Sequence, residues 1–223
     1  MVKDNILEIK KQIPGSVTIV AVTKGRSVEE IKEALDAGIT DIGENRVQEA
    51  LLKHEALRTM NYEPRAKWHM VGHLQSNKVK EAVEIFDLIQ SVDTLDLARK
   101  IGKEAAKVNK IQDILIEVKT SQEATKFGFS PDKTAEAVGE ISKLQNIRIQ
   151  GLMTIAPLAA DPEKSRPYFK ALRELRDRIN SLQLTAYSLQ LLSMGMTDDF
   201  KIAIEEGSNM IRLGRALFER KNG

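Results

Sequence analysis

The chain has 223 residues, 42% of them hydrophobic and 30% charged, and its formal net charge is +2. This composition is typical of an ordinary soluble protein, and the interleaved charges argue against a nucleic-acid-binding surface. The absence of cysteine excludes disulfides and thiolate catalysis. No apolar signal core opens the chain and no run approaches the roughly 20 apolar residues of a membrane span, so we expect a cytoplasmic protein without membrane contact.

Short apolar runs alternate with amphipathic helical patterns along the chain. Before the first run, Ile6, Ile9 and Ile13 predict a short helix that ends at Pro14. Small and β-branched residues without alternation are typical of strands buried on both faces of a parallel sheet. The predicted strands cover residues 17–25, 40–43, 68–71, 87–92, 111–118, 147–153, 187–192 and 209–213.

Capping residues predict helices between these strands. The predicted caps are Ser27 with Glu30, Thr94, Ser130-Pro131, Asp161-Pro162, and Thr197 with Asp198 and Asp199 behind it. Eight strand–helix units predict one α/β domain over residues 1–223, a single (β/α)8 TIM barrel with an extra N-terminal helix. An open doubly wound sheet would need a Gly-x-Gly-x-x-Gly turn after its first strand, and the sequence has none there.

Lys24 lies at the end of the first predicted strand. It follows Val20 and Val22 at a spacing of two residues, which places all three side chains on the same face of the strand. If these valines face the interior, Lys24 does as well, and an ammonium there is costly unless it is paired or neutral. Such a lysine is a candidate for amine chemistry. The alternative is a side chain that extends into solvent where the strand ends.

Two glycine-containing loops follow the last two predicted strands. Gly195 lies in the segment Ser193-Met194-Gly195-Met196-Thr197, and Gly214 lies in Arg212-Leu213-Gly214-Arg215. In such barrels the loops after strands 7 and 8 form a recurrent phosphate site, because glycines and helix N-termini present free N–H groups. These loops predict a site for a phosphate monoester, unless both glycines merely mark helix boundaries.

A lysine on the first strand and a phosphate site on the last two strands are neighbours in a closed barrel. This combination suggests a Schiff base to a phosphorylated aldehyde, of which pyridoxal phosphate (PLP) is the commonest. Arg212 can only donate, so at the pyridine nitrogen it would keep that atom unprotonated and limit carbanion chemistry. A class I aldolase for a phosphorylated sugar stays an alternative, whereas a metal site at His69 and His73 lacks an evident third ligand.

Several short motifs resemble those of the pyridoxal-phosphate homeostasis proteins, also called the YggS or PROSC family, which are related to the barrel domain of alanine racemase. The motifs follow the family's order through nearly the whole chain. They are Ala21-Val22-Thr23-Lys24, Gly43-Glu44-Asn45-Arg46-Val47-Gln48-Glu49, Trp68-His69, Leu74-Gln75-Ser76-Asn77-Lys78, Lys126-Phe127-Gly128, Gly151-Leu152-Met153-Thr154-Ile155-Ala156-Pro157, Leu192-Ser193-Met194-Gly195-Met196-Thr197 and Ile211-Arg212-Leu213-Gly214. One departure is His73, where many members have proline.

The resemblance implies a fold-type III barrel that holds PLP as a Schiff base on Lys24, with Arg212 at the pyridine nitrogen. It also implies that Ser193, Gly214 and the N–H of Arg215 hold the phosphate. The full set of implied cofactor-binding residues is Lys24, Asn45, His69, Met153, Ser193, Arg212, Gly214 and Arg215.

Members of this family are regarded as binding the cofactor without a demonstrated reaction. The resemblance therefore implies a carrier or buffer in vitamin B6 homeostasis, with PLP-dependent apoenzymes as candidate recipients, and no catalytic residues. Alanine racemase takes a second acid–base group, a tyrosine, from its partner's extra C-terminal domain, and Tyr62, Tyr168 and Tyr187 are no evident substitutes. The lack of that domain also favours a monomer, by analogy. A weak amino-acid racemase is the alternative.

Overall fold

Eight parallel strands close into a barrel in this computed structural model, which describes residues 1–62, 66–121 and 127–219. Each strand pairs with the next, and β8 pairs with β1 in a register that places Thr18 opposite Met210. The strands are β1 (Thr18–Val22), β2 (Asp41–Glu44), β3 (Lys67–Met70), β4 (Leu88–Val92), β5 (Gln112–Glu117), β6 (Ile147–Met153), β7 (Leu191–Ser193) and β8 (Met210–Leu213). The TIM barrel is therefore confirmed, and its extent as one domain over residues 1–223 stays a prediction.

Helices surround the barrel. They are α1 (Val2–Gln12), α2 (Val28–Asp36), α3 (Val47–Thr59), α4 (Val79–Ile85), α5 (Leu95–Lys107), α6 (Pro131–Ile141), α7 (Arg166–Ser181), α8 (Phe200–Glu205) and α9 (Arg215–Phe218). The extra N-terminal helix is confirmed, and its buried face packs in one apolar cluster with α9 through Ile6, Ile9 and Phe218. The capping box of Ser27 and Glu30 is present at the start of α2.

Strand β7 is shorter than the predicted residues 187–192. The side chain of Asn180 in α7 accepts from the Leu189 N–H at 2.8 Å and donates to the Leu189 carbonyl at 3.2 Å. These bonds satisfy the backbone of Leu189 outside the sheet, so the regular strand begins only at Leu191. The predicted helix start at Asp161-Pro162 forms one 3-10 segment, Pro162–Ser165, before α7 begins.

The predicted cap of α8 is wrong by two residues. The helix begins at Phe200 with Asp199 as its N-cap, and the Asp199 carboxylate accepts from the Met196 N–H at 2.7 Å. The hydroxyl of Thr197 instead accepts from the Ala216 N–H at 3.3 Å, in the first turn of α9. Thr197 thus joins the loops that follow β7 and β8.

Most of the apolar core lies between the strands and the helices. Trp68, Phe86 and Phe169 fill this layer and are almost inaccessible to solvent. A smaller apolar cluster, which includes Val20 and Met153, lies on the inner faces of the strands. Within the described ranges, the helices lack the length and apolar character that a membrane crossing requires.

Candidate functional site

Lys24 lies in a turn that follows β1. The Arg26 N–H donates to the Thr23 carbonyl at 2.9 Å and Gly25 has a φ of +69°, so the chain leaves the strand direction after Val22. Lys24 is exposed as a result. Of the two alternatives for this side chain, burial in line with the inward-facing valines and extension into solvent, the structure has the second.

The side chain of Lys24 borders a cavity of about 580 Å³ at the carboxyl ends of β1, β2 and β3. Asn45, which directly follows β2, shares this cavity and is half-buried. A Cβ on Gly72 would lie 2.6 Å from the Asn45 carbonyl oxygen, so only glycine permits this close approach. Arg46 and Lys78 add positive charge, and no carboxylate lines the cavity among the described residues. This lining favours an anionic ligand.

A buried ion cluster lies directly behind the Lys24 turn, formed by Thr23, Glu44, Glu49 and Lys53, and is called here the Lys53 cluster. The Lys53 ammonium contacts Glu44 Oε1 at 2.7 Å and Glu49 Oε1 at 2.6 Å, and donates to the Thr23 carbonyl at 2.5 Å. The Thr23 hydroxyl donates to Glu44 at 2.5 Å, and the Gly25 N–H donates to Glu49 at 2.6 Å. The residues on both sides of Lys24 are therefore fixed by charged partners.

Burial and hydrogen bonding oppose each other in this cluster, and the outcome differs between Glu44 and Glu49. Glu44 is fully buried, and burial raises the pKa of its carboxyl although Lys53 and Thr23 oppose the shift. Its second oxygen, Oε2, has no hydrogen-bond partner among the described residues. Glu49 is more exposed, and despite its partial burial the bonds from Lys53 and the Gly25 N–H hold its pKa below the usual value. Lys53 is thus the cation that compensates Glu44.

On the strand next to β1, Arg212 projects into the barrel. Its guanidinium donates to Ser193 Oγ at 2.6 Å and to the Thr154 carbonyl at 2.8 Å. Burial lowers the pKa of Arg212 to about 10, and the charges of Glu117 and Asp199 oppose that shift. Arg212 is therefore a cation with fixed donors inside the barrel.

Ser193 and His69 lie below Arg212 in the barrel interior. The Ser193 hydroxyl donates to Gln90 Oε1 at 2.6 Å, and the Gln90 amide nitrogen contacts His69 Nδ1 at 2.9 Å. His69 lines a second cavity, of about 540 Å³, that lies at the amino ends of the strands with Asp41. The structure therefore does not bring His69 to the cavity beside Lys24, although hydrogen bonds through Gln90 and Ser193 connect it to Arg212.

The predicted phosphate loops meet at the start of α9. Gly214 is the N-cap of this helix, Arg215 begins it, and the Thr197 hydroxyl lies beside them. The exposed Arg215 side chain pairs with Asp198 at 2.6 Å. The sequence analysis included Thr197 in the loop after strand 7, but it gave the Thr197 hydroxyl no role of its own in the site.

Two further buried acids lie at the carboxyl end of the barrel. Asp93 contacts His73 Nδ1 at 3.0 Å, and the His73 ring stacks on Phe127 at 3.7 Å. Burial raises the pKa of Asp93, against the opposing charge of His73. Burial, with a smaller contribution from Asp93, also raises the pKa of Glu117 to about 7. Sequence reasoning missed Asp93, Glu117 and Gln90, because nothing local marks them as neighbours of Arg212.

Of the predicted site residues, the structure places Lys24 and Asn45 on one cavity, and Met153 and Arg212 in the barrel interior. Lys126, part of one recognised motif, lies outside the described residues. The region of the chain that the structure describes holds no group of three His, Asp or Glu residues suited to a metal ion.

The barrel carries a lysine after β1, an arginine on β8 and glycine-containing loops after β7 and β8, and this combination defines a class of barrel proteins. Residues 1–221 match the family described as alanine racemase, N-terminal domain. Clostridium difficile alanine racemase shares the fold, with a TM-score of 0.80 at 15% identity, and this chain covers 57% of it.

Relatives of higher sequence identity define the family within this class. A pyridoxal phosphate homeostasis protein of Aquifex aeolicus is 46% identical over 86% of this chain and 82% of its own length. The one from a Synechocystis species is 42% identical over 95% of this chain and 94% of its own. The chain therefore belongs to the pyridoxal phosphate homeostasis protein family, as its motifs predict.

PipY of Synechococcus elongatus gives the structural comparison. Solved with PLP bound, PipY superposes with a TM-score of 0.89 at 34% identity, covering 98% of this chain and 100% of PipY. Solved without PLP, it superposes with a TM-score of 0.91.

Proposed function

We propose that this chain binds pyridoxal 5′-phosphate at the carboxyl end of its barrel, through a Schiff base on Lys24. It acts in vitamin B6 homeostasis as a carrier or buffer without turnover. This proposal rests on the positions of two side chains on adjacent strands. The exposed amine of Lys24 follows β1, and the buried guanidinium of Arg212 lies on β8. The similarity to PipY, which was solved with this compound bound, supports it.

The donor set fits the three functional groups of this ligand. The Lys24 amine suits the aldehyde, the Arg212 guanidinium suits the ring nitrogen, and the N–H groups at Gly214 and Arg215 suit the phosphate. Thr197 adds a hydroxyl beside these N–H groups. When bound, the cofactor supplies an electrophilic aldehyde that reacts with amines.

Four other residues are predicted to contact the cofactor, and the structure supports two of these contacts more directly than the other two. Asn45 shares the cavity with Lys24. Met153 is fully buried among the inner apolar residues of the barrel. Direct contacts of His69 with the cofactor, and of the Ser193 hydroxyl with its phosphate, stay predictions. A Ser193 contact with the phosphate competes with two 2.6 Å bonds, in which the Ser193 hydroxyl donates to Gln90 and accepts from Arg212.

Retention without turnover follows from the donor chemistry of Arg212. A guanidinium has no acceptor, so at the ring nitrogen it keeps this atom unprotonated and the ring withdraws electrons less strongly. In addition, no tyrosine lines the Lys24 cavity among the described residues. Both features favour a protein that holds the cofactor and leaves amino acids unchanged.

A weak amino-acid racemase is the second candidate, and His73 is the observation that favours it. His73 lines the same cavity as Lys24, and its Nδ1 is held by the buried Asp93 carboxylate at 3.0 Å. A carboxylate-held imidazole is a common general acid or base. This candidate predicts exchange of an amino acid's α-proton with solvent that is lost in His73→Ala.

The visible absorption spectrum, measured with and without added PLP, tests the main proposal. We expect a protein-bound band in the visible spectrum of the PLP-loaded wild type, its loss in Lys24→Ala, and its retention in Lys78→Ala. Lys78 is the matched control, because it lines the same cavity. A band that persists in Lys24→Ala would contradict the assignment to Lys24. A wild type without a band would contradict PLP binding.

Turnover is tested separately, by incubating the PLP-loaded protein with single amino-acid enantiomers in deuterated water. We expect neither racemisation nor deuterium incorporation above the rate of free PLP.

We also propose that the protein is a cytoplasmic monomer that delivers PLP to apoenzymes. Light scattering checks the monomeric state, and reactivation of a PLP-free aminotransferase by the loaded protein checks the delivery.

A further inference from the structure

Five polar side chains form one hydrogen-bonded chain through the interior of the barrel, called here the Arg212 chain. In order they are Arg212, Ser193, Gln90, His69 and Asp41. The consecutive contacts measure 2.6, 2.6, 2.9 and 3.0 Å. All five residues are at least nine-tenths buried, and Gln90 and Ser193 are inaccessible to solvent. A network this deep is costly unless every member is satisfied.

The chemistry of the two ends determines the direction of every bond. Arginine has only donors and an ionised carboxylate has only acceptors. Since Ser193 accepts from Arg212, its hydroxyl proton points to Gln90 Oε1, and the Gln90 amide group then donates to His69 Nδ1. His69 carries its proton on Nε2 and donates it to Asp41.

Two observations at the Asp41 end support this direction. The second carboxylate oxygen of Asp41 accepts from the Thr40 hydroxyl at 2.6 Å. Although burial opposes the shift, the bonds from His69 and Thr40 hold the pKa of Asp41 below its usual value. Asp41 is therefore an ionised acceptor. With a neutral His69 ring, reversing any link would place two donors or two acceptors face to face.

We propose that Gln90 and His69 are positioning residues for the cofactor site, acting through Ser193 on the Arg212 guanidinium. This inference rests on the proposed function, since Arg212 is the group placed at the cofactor's ring. Gln90 orients the Ser193 hydroxyl, and His69 fixes which end of the Gln90 amide faces Ser193. The Thr154 carbonyl holds the other terminal nitrogen of Arg212 at 2.8 Å, so the two contacts together set the plane of the guanidinium.

Nitrogen-15 NMR of the histidine rings in the cofactor-free protein tests the direction of the chain. The sequence has three histidines, and His69→Gln identifies the His69 signals. We expect His69 as the Nε2–H tautomer in the wild type. In Gln90→Glu the new carboxylate cannot donate, so we expect a proton on Nδ1 of His69. A wild-type Nδ1–H tautomer, or unchanged His69 signals in Gln90→Glu, would overturn the proposal.

PLP titrations of Gln90→Leu and Gln112→Leu test the positioning role. Gln112 is the control, because it is equally buried but its amide nitrogen donates to the backbone carbonyls of Phe86 and Asp87, directly before β4. We expect Gln90→Leu to weaken PLP binding about tenfold and to shift the bound band, since Arg212 loses its fixed orientation. Gln112→Leu should lower stability yet leave the affinity and the band unchanged.

The outcomes separate this inference from the proposed function. If the wild type binds PLP and both glutamine variants bind it equally well, the positioning role is overturned and the proposed function stands. Equal weakening in both variants also overturns the positioning role, because general destabilisation then explains the loss. A wild type that does not bind PLP overturns the proposed function and the positioning role with it.

Discussion

Two buried polar networks support the candidate site, and they are built from different chemistry. The Lys53 cluster is built around three ionisable side chains, Glu44, Glu49 and Lys53, and it holds the backbone on both sides of Lys24. The Arg212 chain has charges only at its ends, and its three inner members are a hydroxyl, an amide and an imidazole. The comparison suggests that ion pairing suffices to hold a backbone turn in place. Orienting a planar side chain needs bonds whose direction is fixed.

Removing the cation of the Lys53 cluster should have the largest effect. Lys53→Met leaves the fully buried Glu44 uncompensated, and we expect a loss of about 3–5 kcal/mol in the free energy of unfolding. Urea denaturation measures it.

The double variant Lys53→Met with Glu44→Gln is the control for this loss. It removes the orphaned charge and should recover much of the lost stability. If the single and double variants lose the same free energy of unfolding, the uncompensated charge of Glu44 is not the cause of the loss.

On the side of Arg212, Glu117 should make stability fall as the pH rises. Its pKa is raised from 4.5 to about 7, so between these values the unfolded state releases a proton that the folded state retains. Glu117→Gln removes this penalty. We therefore expect the variant to gain about 3 kcal/mol relative to the wild type between pH 4 and pH 8. Urea denaturation across this range checks it, and parallel pH profiles would contradict it.

The cavity beside Lys24 depends on the absence of a side chain at Gly72. A Cβ there would lie 2.6 Å from the carbonyl oxygen and 2.8 Å from the Cα of Asn45. We expect Gly72→Ala to cost about 1–3 kcal/mol and to weaken PLP binding, because the backbone of Asn45 must move. Thermal unfolding and a PLP titration measure the two effects.

Gly139→Ala is the matched control for Gly72→Ala. Gly139 lies within α6 and a Cβ there would meet nothing within 4 Å, so alanine should stabilise the helix by about 0.5–1 kcal/mol. PLP binding should not change in this variant. Similar behaviour of the two variants would contradict the importance of the close approach at Asn45.

Much of the fold could be predicted because its signals are local. The capping box of Ser27 and Glu30 and the proline at the start of α6 are short-range patterns, and both are present. The errors have non-local causes. The start of β7 is set by a side chain from α7, and Thr197 is engaged by the first turn of α9.

The site was less predictable for the same reason. Lys24 could be identified as the end of a strand, but the turn that exposes it depends on the side chains of Glu44, Glu49 and Lys53. Gln90 and Ser193 are 103 residues apart, so only the closed barrel brings them together.

Chemical trapping on Lys24 tests the central claim most directly. The wild-type protein is loaded with PLP, reduced with borohydride and digested, and the peptides are analysed by mass spectrometry. We predict a single stable adduct, on the peptide that carries Lys24, and no adduct at this site in Lys24→Ala. An adduct of similar yield on another lysine, or none on the Lys24 peptide, would contradict the claim.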